Sequence, residues 1–143
     1  MSEAPTARTR PLGTLAAGER SELTFTITQQ DLRTFMDLSG DRNPLHEDAD
    51  FAHQRGFRAP VVHGALLLSR LSRLIGMELP GAGALWTGLE VAFRNPVHVG
   101  DRVTLAAELD HVSEATGILK MAFSFTVGGK LVANGKAEIM ARG

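Results

Sequence analysis

Cysteine is absent from this 143-residue sequence. That absence removes a disulfide framework, a thiolate zinc site and a cysteine nucleophile together, and it fits a cytoplasmic protein. Neither sign of charge dominates: 15 basic residues face 16 acidic ones, giving a net charge of −1 with histidine neutral, and no block of like charge occurs. Nucleic acid and anionic membranes call for a basic face, so neither is an expected partner. The start of the chain holds no apolar run like a signal-peptide core, and no later run reaches the length that spans a bilayer. Also missing are the G-x-S-x-G elbow, the P-loop and the G-x-G-x-x-G fingerprint, which sets aside elbow-type hydrolysis, nucleotide chemistry and dinucleotide redox. With no repeat, low-complexity tract or internal linker, the chain is expected to form one domain over residues 13–143 behind a flexible N-terminus over residues 1–12.

Hydrophobic periodicity places the elements. Leu23, Phe25 and Ile27 alternate with Thr24 and Thr26, the pattern of a strand with one buried face. Thr28 with Asp31 resembles a capping box; Leu32, Phe35 and Met36 carry helical spacing, and Gly40 is the expected stop. A second short helix is expected from about Asp48 to Arg55, with Phe51 and Ala52 turned inward. From Ala65 to Gly76 apolar residues cover so much of the circumference that the helix reads as the buried axis of the domain. Along it Ala65, Ser69, Ser72 and Gly76 form a stripe of small residues, suited to close packing against strands. Beyond Pro80-Gly81-Ala82-Gly83 four strands are expected: Leu85–Phe93, Arg102–Val112, Gly117–Val127 and Lys130–Met140. Turns fall at Gly100-Asp101 and Gly128-Gly129. The sum is an α+β fold in which an antiparallel sheet wraps a helix.

The chemistry concentrates in Asp41-Arg42-Asn43-Pro44-Leu45-His46. Gly40 and Pro44 bar this stretch from continuing the preceding helix, so a carboxylate and an imidazole five positions apart sit on a bent loop. A second segment, Val62-His63-Gly64, runs into the apolar helix, whose first N–H groups lack intrahelical acceptors and can stabilise an oxyanion. Taken alone, Asp41 and His46 could be a local cap and its neighbour; with the second segment present, catalysis is favoured. Asn43 is expected to hold the loop, and His63 to be a packed, hydrogen-bonded residue before the helix rather than a second acid. His46, Glu47, Asp48, Asp50 and His53 lack metal-site spacing, so no metal is expected there. Arg55, Arg58, Arg70, Arg73 and Arg94 could meet phosphates, though each is more often a solvated charge.

Three segments together carry a specific resemblance: Ser39 through His46, Val62-His63-Gly64 entering the helix, and Phe93-Arg94-Asn95-Pro96-Val97 leading to Val99-Gly100-Asp101. The chain resembles the hot-dog-fold (R)-specific enoyl-CoA hydratases, or MaoC-like dehydratases, over roughly Phe25 to Met140, without departure at these positions. The resemblance implies the hot-dog fold, a homodimer joined edge to edge, and an acyl thioester substrate on coenzyme A or an acyl carrier protein, with no bound cofactor. It assigns Asp41 and His46 as the catalytic pair and the Gly64 N–H as the oxyanion contact, with Ser72 and Asn43 in support. The expected activity is reversible hydration of trans-2-enoyl thioesters to (3R)-3-hydroxyacyl thioesters. A hot-dog thioesterase and a non-catalytic acyl-thioester-binding subunit are the alternatives, and an intact acid/base pair counts against the second.

Overall fold

The computed structural model describes residues 4–141. A 3-10 turn at Leu12–Thr14 leads to β1 (Arg20–Thr26), then α1 (Gln29–Ser39), α2 (Pro44–Glu47), α3 (Ala49–Gln54) and α4 (Gly64–Met77). Four strands complete the chain: β2 (Ala84–Phe93), β3 (Arg102–Val112), β4 (Ile118–Val127) and β5 (Lys130–Ala141). The sheet is antiparallel in the order β1-β3-β4-β5-β2, which leaves β1 and β2 at its edges.

Alternation along the strands decides which face meets the helix. Val103, Leu105, Ala107 and Leu109 of β3 are buried, as are Leu119, Met121, Phe123 and Phe125 of β4. Register aligns Leu105 with Phe125 and Leu109 with Met121 across the β3–β4 ladder, so these side chains form continuous rows. Against them α4 sets Leu66, Leu67, Leu71, Leu74 and Ile75 in one core. Each such side chain contributes roughly 1.5–3 kcal/mol when fully removed from water. This is the hot-dog arrangement, a sheet wrapped along a helix.

Local signals explain the helix bounds. The Thr28 side chain accepts from the Asp31 N–H at 3.1 Å, while the Asp31 carboxylate accepts from the Thr28 N–H at 2.8 Å, a complete capping box. Pro44 differs from expectation: it opens α2 at the first helical position, where its missing N–H costs nothing and its fixed φ suits a helix. His46 therefore rides on a helical turn, not an open loop. On α3, Ala52 is buried, but Phe51 is only half-buried, with the Arg55 guanidinium 4.2 Å from its ring centroid.

One further expectation needs correction. The small-residue stripe on α4 does not pack against strands: Ala65, Ser69 and Ser72 are exposed and Gly76 is half-buried. One sheet covers one side of a helix, so the opposite side of α4 is open within a single chain. The N-terminal stretch makes bonds to the body of the domain. Arg8 donates to the Met77 carbonyl at 2.9 Å and accepts from the Ala82 N–H at 2.8 Å, and Arg10 pairs with Glu19 at 2.8 Å. Backbone bonds to the end of α4 tie the segment down from Arg8 onward; residues 1–3 lie outside the described residues.

Candidate active site

Gly40 ends α1 in the left-handed region, φ 77°, and returns its N–H to the Met36 carbonyl at 2.9 Å. A side chain there would be strained, so glycine allows the chain to turn off the helix at this residue. Asp41 follows, its N–H held by Ser39 Oγ at 3.0 Å and its Oδ1 accepting from the Asn43 N–H at 3.1 Å. Asn43 Oδ1 then caps α2 by accepting from the Leu45 N–H at 3.0 Å. Arg42 braces the outside of the bend, paired with Asp37 of α1 and 3.9 Å from Glu47 of α2.

This bend brings His46 Nε2 to 3.7 Å from Asp41 Oδ2. That separation is too long for a direct hydrogen bond, but one water oxygen can lie about 2.8 Å from both atoms. The other ring nitrogen, Nδ1, stands 2.6 Å from the Val61 carbonyl. A carbonyl only accepts, so the neutral imidazole carries its proton on Nδ1 and presents a lone pair from Nε2. Val61 is itself fixed: its N–H donates to the Leu45 carbonyl at 3.0 Å, and it bridges to His98. His98 is buried and donates from Nδ1 to the Pro60 carbonyl at 3.0 Å, while Val62 donates to the Val97 carbonyl at 2.7 Å. The Phe93-to-Val97 segment thus helps seat the stretch that orients the imidazole.

His63 completes the cluster. It is only 2 % exposed, and its ring stacks on His46 with centroids 3.7 Å apart and planes 24° from parallel. Its Nε2–H donates to the main-chain carbonyl of Asp41 at 3.1 Å, and Phe35 of α1 flanks it at 4.8 Å. Burial holds the His63 pKa below the ordinary histidine range; the bond to Asp41 opposes that shift, and the neighbouring His46 adds to it.

Asp41, His46 and His63 each offer a ligand atom within 4.8 Å of the others, a different set from the run of acids and histidines in the sequence. One nitrogen of each imidazole is taken by a carbonyl, and His63 Nδ1 is sealed from solvent without a partner. In the sequence run, Asp48 caps α3 and His53 bonds the Arg58 carbonyl at 2.8 Å.

A cavity of about 470 Å³ opens beside His46, lined also by Phe57, Val61, Gly64, Leu67 and Phe93. Gly64 is the first residue of α4 and no side chain caps that helix, so its N–H has no acceptor within the helix. The Phe93 ring lies so close to Gly64 that a Cβ there would stand 2.8 Å from its Cζ. A second hollow, about 410 Å³, lies over β1, β3 and β4 beside Arg20, Glu22 and Glu108 and contains no histidine.

Asp41, Asn43, His46 and Gly64 are therefore gathered at one place. Ser72 is not: it is exposed on the open side of α4, eight residues past Gly64, about 12 Å along at 1.5 Å per residue. Of the arginines, Arg94 lines the cavity with Nε bonded to Asn134 Oδ1 at 2.7 Å, while Arg58 pairs with Asp101 at 2.9 Å and Arg70 lies 3.7 Å from Asp31. Arg55 lies over Phe51, and Arg73 is exposed. Sequence reasoning missed Val61 and His98, because a backbone acceptor and its buried support leave no side-chain signature.

Known proteins resemble this chain in sequence and fold. The model of the MaoC like domain matches residues 14–133. The chain belongs to that family. Among MaoC-like relatives it is 38% identical to the (R)-specific enoyl-CoA hydratase of Aeromonas caviae over 126 residues, covering 87% of this chain and 94% of the relative. It is 34% identical to the (R)-specific enoyl-CoA hydratase of Rhodospirillum rubrum over 128 residues, covering 88% and 89%. The solved (R)-hydratase from A. caviae involved in PHA biosynthesis superposes with a TM-score of 0.86 at 35% identity, covering 90% of this chain and 98% of that one. No helix among the described residues of this MaoC-like chain is long and apolar enough to cross a membrane.

Proposed function

We propose that the protein reversibly hydrates trans-2-enoyl thioesters to (3R)-3-hydroxyacyl thioesters, the acyl group presented on coenzyme A or an acyl carrier protein. The observation that carries this function is the 3.7 Å separation of Asp41 Oδ2 from His46 Nε2, the imidazole sharing a cavity wall with Gly64. A water held between the two groups adds its oxygen to C3. The double-bond electrons move toward the thioester oxygen, where the Gly64 N–H meets the developing negative charge. A proton released from the water is relayed by the pair to C2, which closes the reaction and leaves the thioester intact. Running backward, the same groups expel water from the (3R)-hydroxyacyl thioester.

The proposal extends to a cytoplasmic homodimer. Edge strand β2 carries Leu85, Leu89 and Phe93 at 58%, 40% and 50% exposure, and α4 leaves one face open. Apolar edge strands invite pairing with a second chain, and a two-fold axis perpendicular to the sheet beside β2 would pair the two β2 strands antiparallel and set both α4 helices on one face.

The test is loss of enone absorbance from crotonyl-CoA with purified protein, alongside a thiol-release assay and chiral analysis of product. Loss of the enone without free thiol, yielding the (3R) product and reduced at least about 10²-fold in Asp41→Asn, is expected. Free thiol would indicate a thioesterase instead. Binding without turnover across enoyl chain lengths and carriers would indicate an acyl-thioester-binding subunit.

A further inference from the structure

We propose that His63 is a positioning residue for the Asp41–His46 pair, holding the carboxylate-bearing loop by its backbone and the catalytic imidazole by its ring. The inference rests on the hydratase function above but concerns a residue that function does not use. Two independent contacts carry it. Through Nε2–H, His63 donates to the Asp41 main-chain carbonyl at 3.1 Å, which fixes the point where the chain leaves Gly40. Through its ring it stacks on His46 at 3.7 Å, backing the face of the imidazole whose edge is pinned by Val61. One side chain therefore sets both ends of the 3.7 Å gap in which a water is to be held.

Its placement suits support rather than proton transfer. His63 is 2 % exposed, Nε2 is committed to a carbonyl, and Nδ1 is sealed from solvent with no partner. No nitrogen is left to reach substrate, so His63 acts only through its neighbours. The titratable groups facing it are Asp41, from the bend, and His46, from α2; α1 contributes Phe35, which does not titrate. Burial favours the neutral ring, and neutrality matters here. A second cation stacked on His46 would oppose the protonated state that His46 passes through during a proton relay.

The sequence position is equally specific. His63 is the residue before α4, yet its side chain makes no capping bond to that helix. Local helix chemistry does not account for the imidazole, whereas the two contacts to the catalytic bend do.

The experiment is a double-mutant cycle on crotonyl-CoA hydration. His63→Phe keeps an aromatic ring in the buried slot but deletes the donor to Asp41; His63→Gln keeps an amide donor but deletes the stack. Both are made in the wild-type chain and in Asp41→Asn. The expected result in the wild-type background is a kcat about ten- to a hundredfold lower with KM changed less than about threefold, since displacement of reacting groups costs rate rather than affinity. In Asp41→Asn the same substitutions should lower kcat by less than about threefold, because the alignment they disturb has already lost its partner. Thermal midpoints, read on every variant, separate positioning from general damage.

Wild-type kcat in both His63 variants would overturn the proposal, and so would full additivity with Asp41→Asn. A loss of rate that merely tracks a lowered thermal midpoint in both variants would overturn it too, since two substitutions of opposite kind would then share only a folding defect. Failure of the wild-type protein to hydrate any enoyl thioester is a separate outcome, and it counts against the hydratase function itself.

Discussion

The Val61 carbonyl accepts a hydrogen bond from His46 Nδ1 at 2.6 Å, and that single bond decides which nitrogen of the imidazole faces Asp41. Fixing the proton on Nδ1 makes Nε2 the lone pair available to a water, so the acid/base capacity of the site is set by a backbone atom fifteen residues away in sequence.

His46→Asn tests this division of labour. The shorter amide can place an N–H where Nδ1–H was, preserving the bond to Val61, but nothing replaces Nε2. Turnover of crotonyl-CoA is expected to fall about 10²–10⁴-fold. The thermal midpoint should fall only modestly, because the bond to Val61 is kept while the ring stacked on His63 is lost. Near-wild-type turnover in this variant would remove Nε2 from the reaction.

Gly64 tests the cavity. In Gly64→Ala the new methyl would meet the Phe93 ring at 2.8 Å, and the ring, half exposed at the end of β2, can swing aside. Alanine is the better helix former by up to about 1 kcal/mol, so stability should be kept or slightly raised while the displaced ring alters the cavity beside His46. Turnover is expected to fall at least about tenfold, as for a disturbed oxyanion contact. Gly64→Ala combined with Phe93→Ala should recover part of it. No recovery would mean that the methyl acts on Gly64 alone.

The depressed pKa of His63 predicts a pH dependence of stability with a definite sign. Its unfolded form takes up a proton near the ordinary histidine value of about 6.5, whereas the buried folded form resists until lower pH. Stability is therefore full above that value and is lost as pH falls from about 6.5 toward the folded value. Urea midpoints measured from pH 8 down to about pH 5.5 should drop in the wild-type chain and drop less in His63→Phe, which has nothing to protonate there. Equal slopes in the two proteins would mean that groups other than His63 supply the dependence.

Much of the fold was legible because its signals are local. Thr28 and Asp31 three positions apart can only serve each other at a helix start, and both bonds of that box form. The strand alternation from Val103 to Leu109 and from Leu119 to Phe125 names one buried face, and that face is the core. Pro44 was ambiguous for a local reason: proline ends helices and also begins them, and only the cap supplied by Asn43 distinguishes the two.

The sequence by itself determined the α+β class, the helix and strand periods, and the candidate pair Asp41 and His46 with Gly64 opening the helix, since each depends on residue type and short spacing. Tertiary structure alone decided how those residues face one another. His63 meets Asp41 across twenty-two positions and Val61 meets His46 across fifteen. The open face of α4, which leaves Ser72 in solvent, likewise follows from the sheet covering only one side of that helix. Contacts at such separations are fixed by the packing of the whole sheet against α4, which hydrophobic burial enforces and no local pattern records.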